Sequence, residues 1–169
     1  CPRGLTADKL RITTDKSRLS MDLKFEYDSW NAYNYFLDSI RIQAVIEPSQ
    51  LDMRDIIYFA SDIDGMYDII DFSGNVKGTV SSFSARNFEF AFGNYTSFKG
   101  DIAMNGLPDV EETFFKLKIE ELYTHISDIQ SFTIPYTDST KKNKIPVVIV
   151  KLGKIKIKGM FTGFLKYFF

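Results

Sequence analysis

Apolar and polar residues alternate from Ser17 to Tyr27, SRLSMDLKFEY. Leu19, Met21, Leu23, Phe25 and Tyr27 fall on one side, and Arg18, Ser20, Asp22, Lys24 and Glu26 on the other. A period of two marks a strand with one buried face. KLRIT repeats the signal with Leu10 and Ile12, and TDKS between the two supplies turn residues, so the chain is predicted to begin with a hairpin. The period then changes. In DSWNAYNYFLDSI, Trp30, Tyr33, Phe36, Leu37 and Ile40 recur at helical spacing. This predicts an amphipathic helix of about three turns, capped by Asp28 or Ser29, lying across one end or the mouth of the sheet with Trp30, Tyr33, Phe36 and Leu37 turned inward. Period two returns in IRIQAVIE, with Ile40, Ile42, Ala44 and Ile46 inward. Pro48 has no amide to donate and is predicted to end that strand.

SQLDMRDIIYFASDIDGMYDII is read as a brief strand at Leu51 and Met53, a short helix begun by Asp52 or Asp55 that carries Ile56, Ile57, Phe59 and Ala60, and a second helical piece from Met66 to Ile70. From 71 to 106 the pattern becomes repetitive. Phe72, Gly74, Val76, Gly78 and Val80 share one face, then Phe88, Phe90 and Phe92, then Phe98, Gly100, Ile102 and Met104, with short Asn, Gly and Ser turns between. That is a meander of antiparallel strands, its apolar face on the concave side and Lys77, Arg86, Glu89 and Lys99 outside. GLPD breaks the sheet. TFFKLKIEELYT alternates Phe115, Leu117 and Ile119 against Lys116, Lys118 and Glu120. A helical turn follows at Ser127 or Asp128, then a polar loop, PYTDSTKKNK. The end of the chain reads as two short strands hinged near Gly153, with Lys154, Lys156 and Lys158 opposed to Ile155 and Ile157.

About nine strands and two or three short helices result. Glycine inside a strand costs about 0.5 to 1 kcal/mol relative to alanine and marks curvature, a bulge or a close backbone approach. The fold class expected is therefore mainly β, a strongly curved antiparallel sheet that is groove-like or a partly closed barrel. It forms a single β-rich module over 1–169.

Composition narrows the function. The 169 residues carry 21 basic and 22 acidic side chains, a formal net charge of −1, which gives the chain little electrostatic reason to seek nucleic acid. No apolar run is long enough to cross a bilayer as a helix. Cys1 is the single cysteine, so no internal disulfide forms; an acylated first residue or an arbitrary boundary both fit its position. No enzyme chemistry or cofactor is expected. His125 is the sole histidine and reads as a surface residue near a loop. Asp62, Asp64 and Asp68 do not have the spacing of a calcium loop, because Gly65 comes too early and no glutamate closes the motif. No GxSxG elbow and no phosphate loop occur. The lysine comb Lys151, Lys154, Lys156 and Lys158 is the main basic feature, read either as a solvated strand face or as a contact for anionic lipid headgroups.

The ordered phrases SQLDMRDIIYFA, FSGNVKGTV, NYTSFKG, GLPD and LGKIKIKGMFTG, between Ser49 and Gly163, resemble the translocation and assembly module proteins of the AsmA-like superfamily in Bacteroidetes-type envelopes. The resemblance implies one section of a long β-sheet protein in the periplasm of a Gram-negative bacterium, anchored to the envelope through regions outside this chain. It also implies phospholipid transport between membranes or assistance to outer-membrane protein assembly. Acyl chains would then meet an apolar groove lined by Phe72, Val76, Val80, Phe88, Phe90, Phe92, Phe98, Ile102 and Met104. The other reading of those residues is the packed core of a closed scaffold or protein-interaction module. Exposed strand edges would favour self-association.

Overall fold

The computed structural model describes residues 3–57, 68–107, 112–131 and 153–164. Eight strands form a single antiparallel sheet in which spatial order follows sequence order. They are β1 (Arg3–Thr13), β2 (Arg18–Tyr27), β3 (Arg41–Asp52), β4 (Ile69–Gly78), β5 (Ser82–Phe92), β6 (Thr96–Asn105), β7 (Phe114–His125) and β8 (Lys154–Phe164). Three short helices interrupt the meander: α1 (Phe36–Ser39), preceded by a 3-10 turn at Trp30–Tyr35, then α2 (Met53–Ile57) and α3 (Ile126–Ser131).

The opening hairpin, the meander from 71 to 106 and the helical turn at Ser127 form where the alternation places them. The expected strong curvature and closure do not. β1 and β8 remain the two edges of an open sheet, and each strand packs mainly on its neighbours in sequence. The glycines on the apolar face explain the difference. A Cβ at Gly74, whose φ is +143°, would sit 2.9 Å from the Phe88 Cα, and Gly74 lies at the register shift between β4 and β5. It admits a neighbouring backbone at a bulge and does not bend the sheet into a barrel.

Register shifts occur in every ladder, and in each the extra residue belongs to an odd-numbered strand. The β3 bulge contains Pro48, so the strand continues through the proline to Asp52 instead of ending there. A bulge leaves one residue outside the ladder, which removes the demand for the missing amide. The bulges of β1 and β5 share a device. Lys9 and Asn87 take left-handed φ of 52° and 48°, and their amides donate to Asp22 Oδ1 at 2.7 Å and Asp101 Oδ1 at 3.0 Å on the next strand.

The predicted three-turn helix at 28–40 forms instead as the 3-10 turn and the single turn of α1. Asn and aromatic residues are middling helix formers, and Ser29 makes no side-chain cap. Trp30, Tyr33 and Leu37 are exposed, by 65%, 37% and 40%, while Phe36 is half-buried and Ile40 fully buried. Ile69 and Ile70 open β4 rather than closing a helix, and one strand follows Gly153. Phe59, Ala60, Asp62, Asp64, Gly65, the loop at 135–144 and the stretch before Gly153 lie outside the described residues.

Candidate functional site: an open apolar face

Cross-strand partners project from the same side of a sheet, so the register fixes the composition of each face. One row runs across all eight strands as Leu5, Phe25, Ile42, Gly78, Phe83, Met104, Phe115 and Gly163. The next runs as Ala7, Leu23, Ala44, Val76, Ala85, Ile102, Leu117 and Phe161. Neither contains a polar side chain. Further along the strands, Phe72, Phe90, Phe98, Leu122 and Ile157 form a third row from β4 to β8.

Eight of the nine lining residues expected from sequence share this face: Phe72, Val76, Phe88, Phe90, Phe92, Phe98, Ile102 and Met104. Val80 does not. It lies in the bend between β4 and β5. The rings of Phe90 and Phe98 stack across β5 and β6 at 5.3 Å, and Phe90 lies 6.0 and 6.2 Å from Phe88 and Phe92 along its own strand. Sequence reasoning confined the lining to 72–104, whereas Leu23 and Phe25 on one flank and Leu117, Ile119 and Ile157 on the other continue it. The same period of two in β2, β7 and β8 carries that signal.

The face is incompletely covered. Phe98, Ala85, Ala44 and Ile119 are buried, but Phe72, Val76, Phe88, Phe90, Phe92, Ile102 and Met104 are half-buried, and Leu5 and Phe161 on the edge strands are exposed. Among the described residues no second layer stacks on it. Polar groups at its margin are satisfied internally: Thr96 and Thr124 hydroxyls meet at 2.9 Å, and Ser49 accepts the Ser20 amide at 3.0 Å.

The opposite face is charged and laced with ion pairs. Lys99 meets Glu89 at 2.6 Å, Lys118 meets Glu120 at 3.2 Å and Asp101 at 3.6 Å, and Lys156 meets Glu121 at 3.3 Å. The Tyr123 hydroxyl and then Lys156 hold Glu121 below the usual glutamate range, and the Tyr123 hydroxyl and then Glu121 push Lys156 up. Two shallow hollows follow polar rows on this side, one along Arg18, Gln50, Asp71, Ala91 and Ser97, the other along Lys24, Gln43, Lys77 and Ser84. Lys77, Arg86, Glu89 and Lys99 lie on the polar side as expected.

The lysine comb belongs to this charged face. Lys154 pairs with His125 and Lys156 with Tyr123, over whose ring its ammonium sits at 4.6 Å, and Lys158 follows the same alternation. A lipid whose chains lie on the apolar face therefore meets these lysines only around the β8 edge. Lys151 lies outside the described residues.

Two carboxylates that the sequence offered only as helix starters, Asp52 before α2 and Asp128 in α3, also tie the ends of the sheet. Asp52 is fully buried and accepts from Arg54 Nε at 2.8 Å and from the Arg54 amide at 3.0 Å. The Arg54 guanidinium holds its pKa at about 2. Asp128 is buried as well, and burial alone would raise its pKa. The amides of Tyr95, Asn94 and Thr96 and the Thr96 hydroxyl outweigh that effect and hold it low. Asp128 thereby clamps the β5–β6 turn to α3. His125 accepts the Ser127 amide through Nδ1 at 3.2 Å, a local bond at the start of α3. Among the described residues no cluster of His, Cys, Asp or Glu has metal-site geometry; Asp68 contributes its carbonyl to the Met53 amide.

No protein-family model, curated protein or solved structure matches this chain. The resemblance to the AsmA-like superfamily therefore rests on the sequence phrases alone.

Proposed function

We propose that this sheet is a non-enzymatic, lipid-contacting section of a periplasmic envelope protein, its open apolar face taking phospholipid acyl chains while its charged face stays in water. The observation that carries the reading is the pair of polar-free rows spanning all eight strands. Eight strands at normal spacing and about ten residues each present a face roughly 34 by 33 Å. That is about 1,100 Å² in all, of which the two polar-free rows, about 7 Å apart, take roughly 480 Å², at the upper end of the roughly 300 to 600 Å² of the largest apolar patch on an ordinary monomer. A patch of that size is often a contact surface. With no polar anchor inside the rows, it offers chains a lining along which they slide, each buried methylene contributing about 0.8 kcal/mol.

The same area supports a second reading, a face-to-face pair of copies, because a stable interface needs about 800 Å² from each partner. The test is phospholipid analysis of the chain purified without detergent, with its mass in solution measured alongside. Monomer carrying phospholipid, lost when Phe90 and Ile102 become charged, supports the lipid face. A lipid-free dimer dispersed by the same substitutions overturns it. Outer-membrane assembly proteins, the other partners the resemblance implies, would reach the module through regions outside this chain.

A further inference from the structure

The segment between β2 and β3 holds an aromatic cluster that begins in solvent and ends on the apolar face. Trp30 is 65% exposed and stacks on Tyr33 with centroids 5.8 Å apart. Tyr33 lies 6.3 Å from Phe36, and Phe36 meets Phe25 edge-on at 6.2 Å. Phe25 belongs to the first polar-free row. Tyr35 beside them is 70% exposed.

This is a fixed platform. Tyr27 is buried beneath Trp30, with centroids 5.3 Å apart; Ile40, at the other end of the segment, is wholly buried; and the Leu37 carbonyl accepts the Ser81 amide at 3.0 Å. A protein that displays a tryptophan and a tyrosine in this way on an anchored support is spending apolar surface in water. Rings with one apolar body and one polar atom suit the boundary between lipid headgroups and acyl chains.

Charge selects which boundary. From Glu26 to Arg41 the segment carries Glu26, Asp28 and Asp38 against Arg41 alone, and Arg41 is already engaged, 3.4 Å from Asp28 and 3.9 Å from Glu26. Among the described residues no free cation stands there to meet an anionic headgroup. The lysine comb is several strands away on the opposite face.

We infer that the Trp30–Tyr35 tip docks in the headgroup region of a zwitterionic phospholipid surface and that the Trp30, Tyr33, Phe36, Phe25 sequence of rings is where an acyl chain passes between that surface and the open apolar face. The inference rests on the lipid-face reading, and its test has a readout of its own.

Trp30 is the sole tryptophan, so it reports its own surroundings. The full chain is mixed with phosphatidylcholine vesicles, and tryptophan emission and co-sedimentation are measured. The expected results are a blue shift, stronger quenching by lipids brominated near the carbonyl than near the chain end, and about ten-fold weaker partitioning for Trp30→Ala. Tyr35→Ser keeps the reporter and also weakens partitioning. Replacing part of the phosphatidylcholine with phosphatidylserine fails to strengthen binding, and Lys154, Lys156 and Lys158 changed together to Gln leave it unchanged. Circular dichroism confirms that each variant folds. Chain purified with phospholipid on it whose Trp30 emission ignores vesicles overturns the tip while sparing the face. Binding that rises with phosphatidylserine and falls with the lysine change also overturns it. A Trp30 that shifts only on adding a soluble protein assigns the tip to a protein partner and overturns it likewise.

Discussion

Phe90→Asp separates an open face from a closed core by the size of its cost. Phe90 is half-buried, packed between Phe88 and Phe92 on its own strand and against Phe98 on the next, with Phe72 opposite it on β4. Full burial of a phenylalanine side chain contributes about 3 kcal/mol at most, so half of that is lost, roughly 1.5 kcal/mol. The cross-strand ring pairs add about 0.5 to 1 kcal/mol, and aspartate's poor fit to a strand adds a similar amount. The total is about 3 kcal/mol. On an open face the carboxylate keeps its water and no further term arises. In a closed core the same charge would carry several additional kcal/mol of desolvation, and the chain would not fold.

Ala85 supplies the internal comparison, because it sits on the same face and the same strand but is 2% exposed. Ala85→Asp removes almost no apolar area yet leaves its charge without water, so it is expected to be the more damaging change. Urea unfolding followed by far-UV circular dichroism gives both values, with phospholipid retention measured on the folded Phe90→Asp protein. The expected result is a folded Phe90→Asp chain depleted of lipid beside an unfolded Ala85→Asp chain. If both substitutions unfold the protein alike, the face is covered in solution and the reasoning from exposure fails.

The buried Asp52 makes stability depend on acid. Its folded pKa of about 2 lies below the ordinary 3.8, so the stabilisation is present above that ordinary value and is lost as pH falls through about 2. It amounts to about 2 kcal/mol, and Asp52→Asn should flatten the acid limb of a stability-versus-pH curve. At the β5 bulge, where Asn87 holds φ at 48°, Asn87→Val should cost about 1 to 3 kcal/mol in urea unfolding while Asn87→Gly stays within about 1; equal costs would mean that the left-handed conformation is not what the position requires.

Faces were legible in the sequence because period two is local: a strand states which residues share a side without reference to its partners. Eight of the nine residues expected to line one face share a side of the sheet for that reason alone. Val80 fails because alternation says nothing about where a strand stops, and the chain leaves β4 at Gly78 to turn through 79–81. Closure failed for a different reason. Glycine in a strand has several uses, and choosing among them requires the atoms that approach it, such as the Phe88 Cα at Gly74. Trp30 and Leu37 were assigned inward on a helical period that WNAYNY does not sustain, and a 3-10 turn rotates the outward positions. Asp52 and Asp128 were legible as helix starters, but their burial and their wider hydrogen bonds left no pattern, since those partners come from chain neighbours in a turn and from another hairpin.

The bulges explain how the face stays continuous despite those local irregularities. In β2, β4, β6 and β8 the residues of the apolar face keep one parity from end to end, as in Leu19 to Tyr27 and Ile155 to Gly163, while Ile69, Met160 and Phe164 fall on the other side. In the other four strands the parity changes once: Ala7 to Leu10, Ile46 to Ser49, Ala85 to Phe88 and Ile119 to Leu122. An uncompensated phase change would send half of each strand's apolar residues to the charged side. In every case a bulge absorbs the odd residue at the position where the phase changes, so sequence and backbone irregularity cancel. The described strands are thus four antiparallel pairs of one kind, each a bulged strand followed by a straight one, and side-by-side repetition of that unit extends both faces together. Lateral repetition without closure makes the apolar surface wide while denying it a second layer among the described strands.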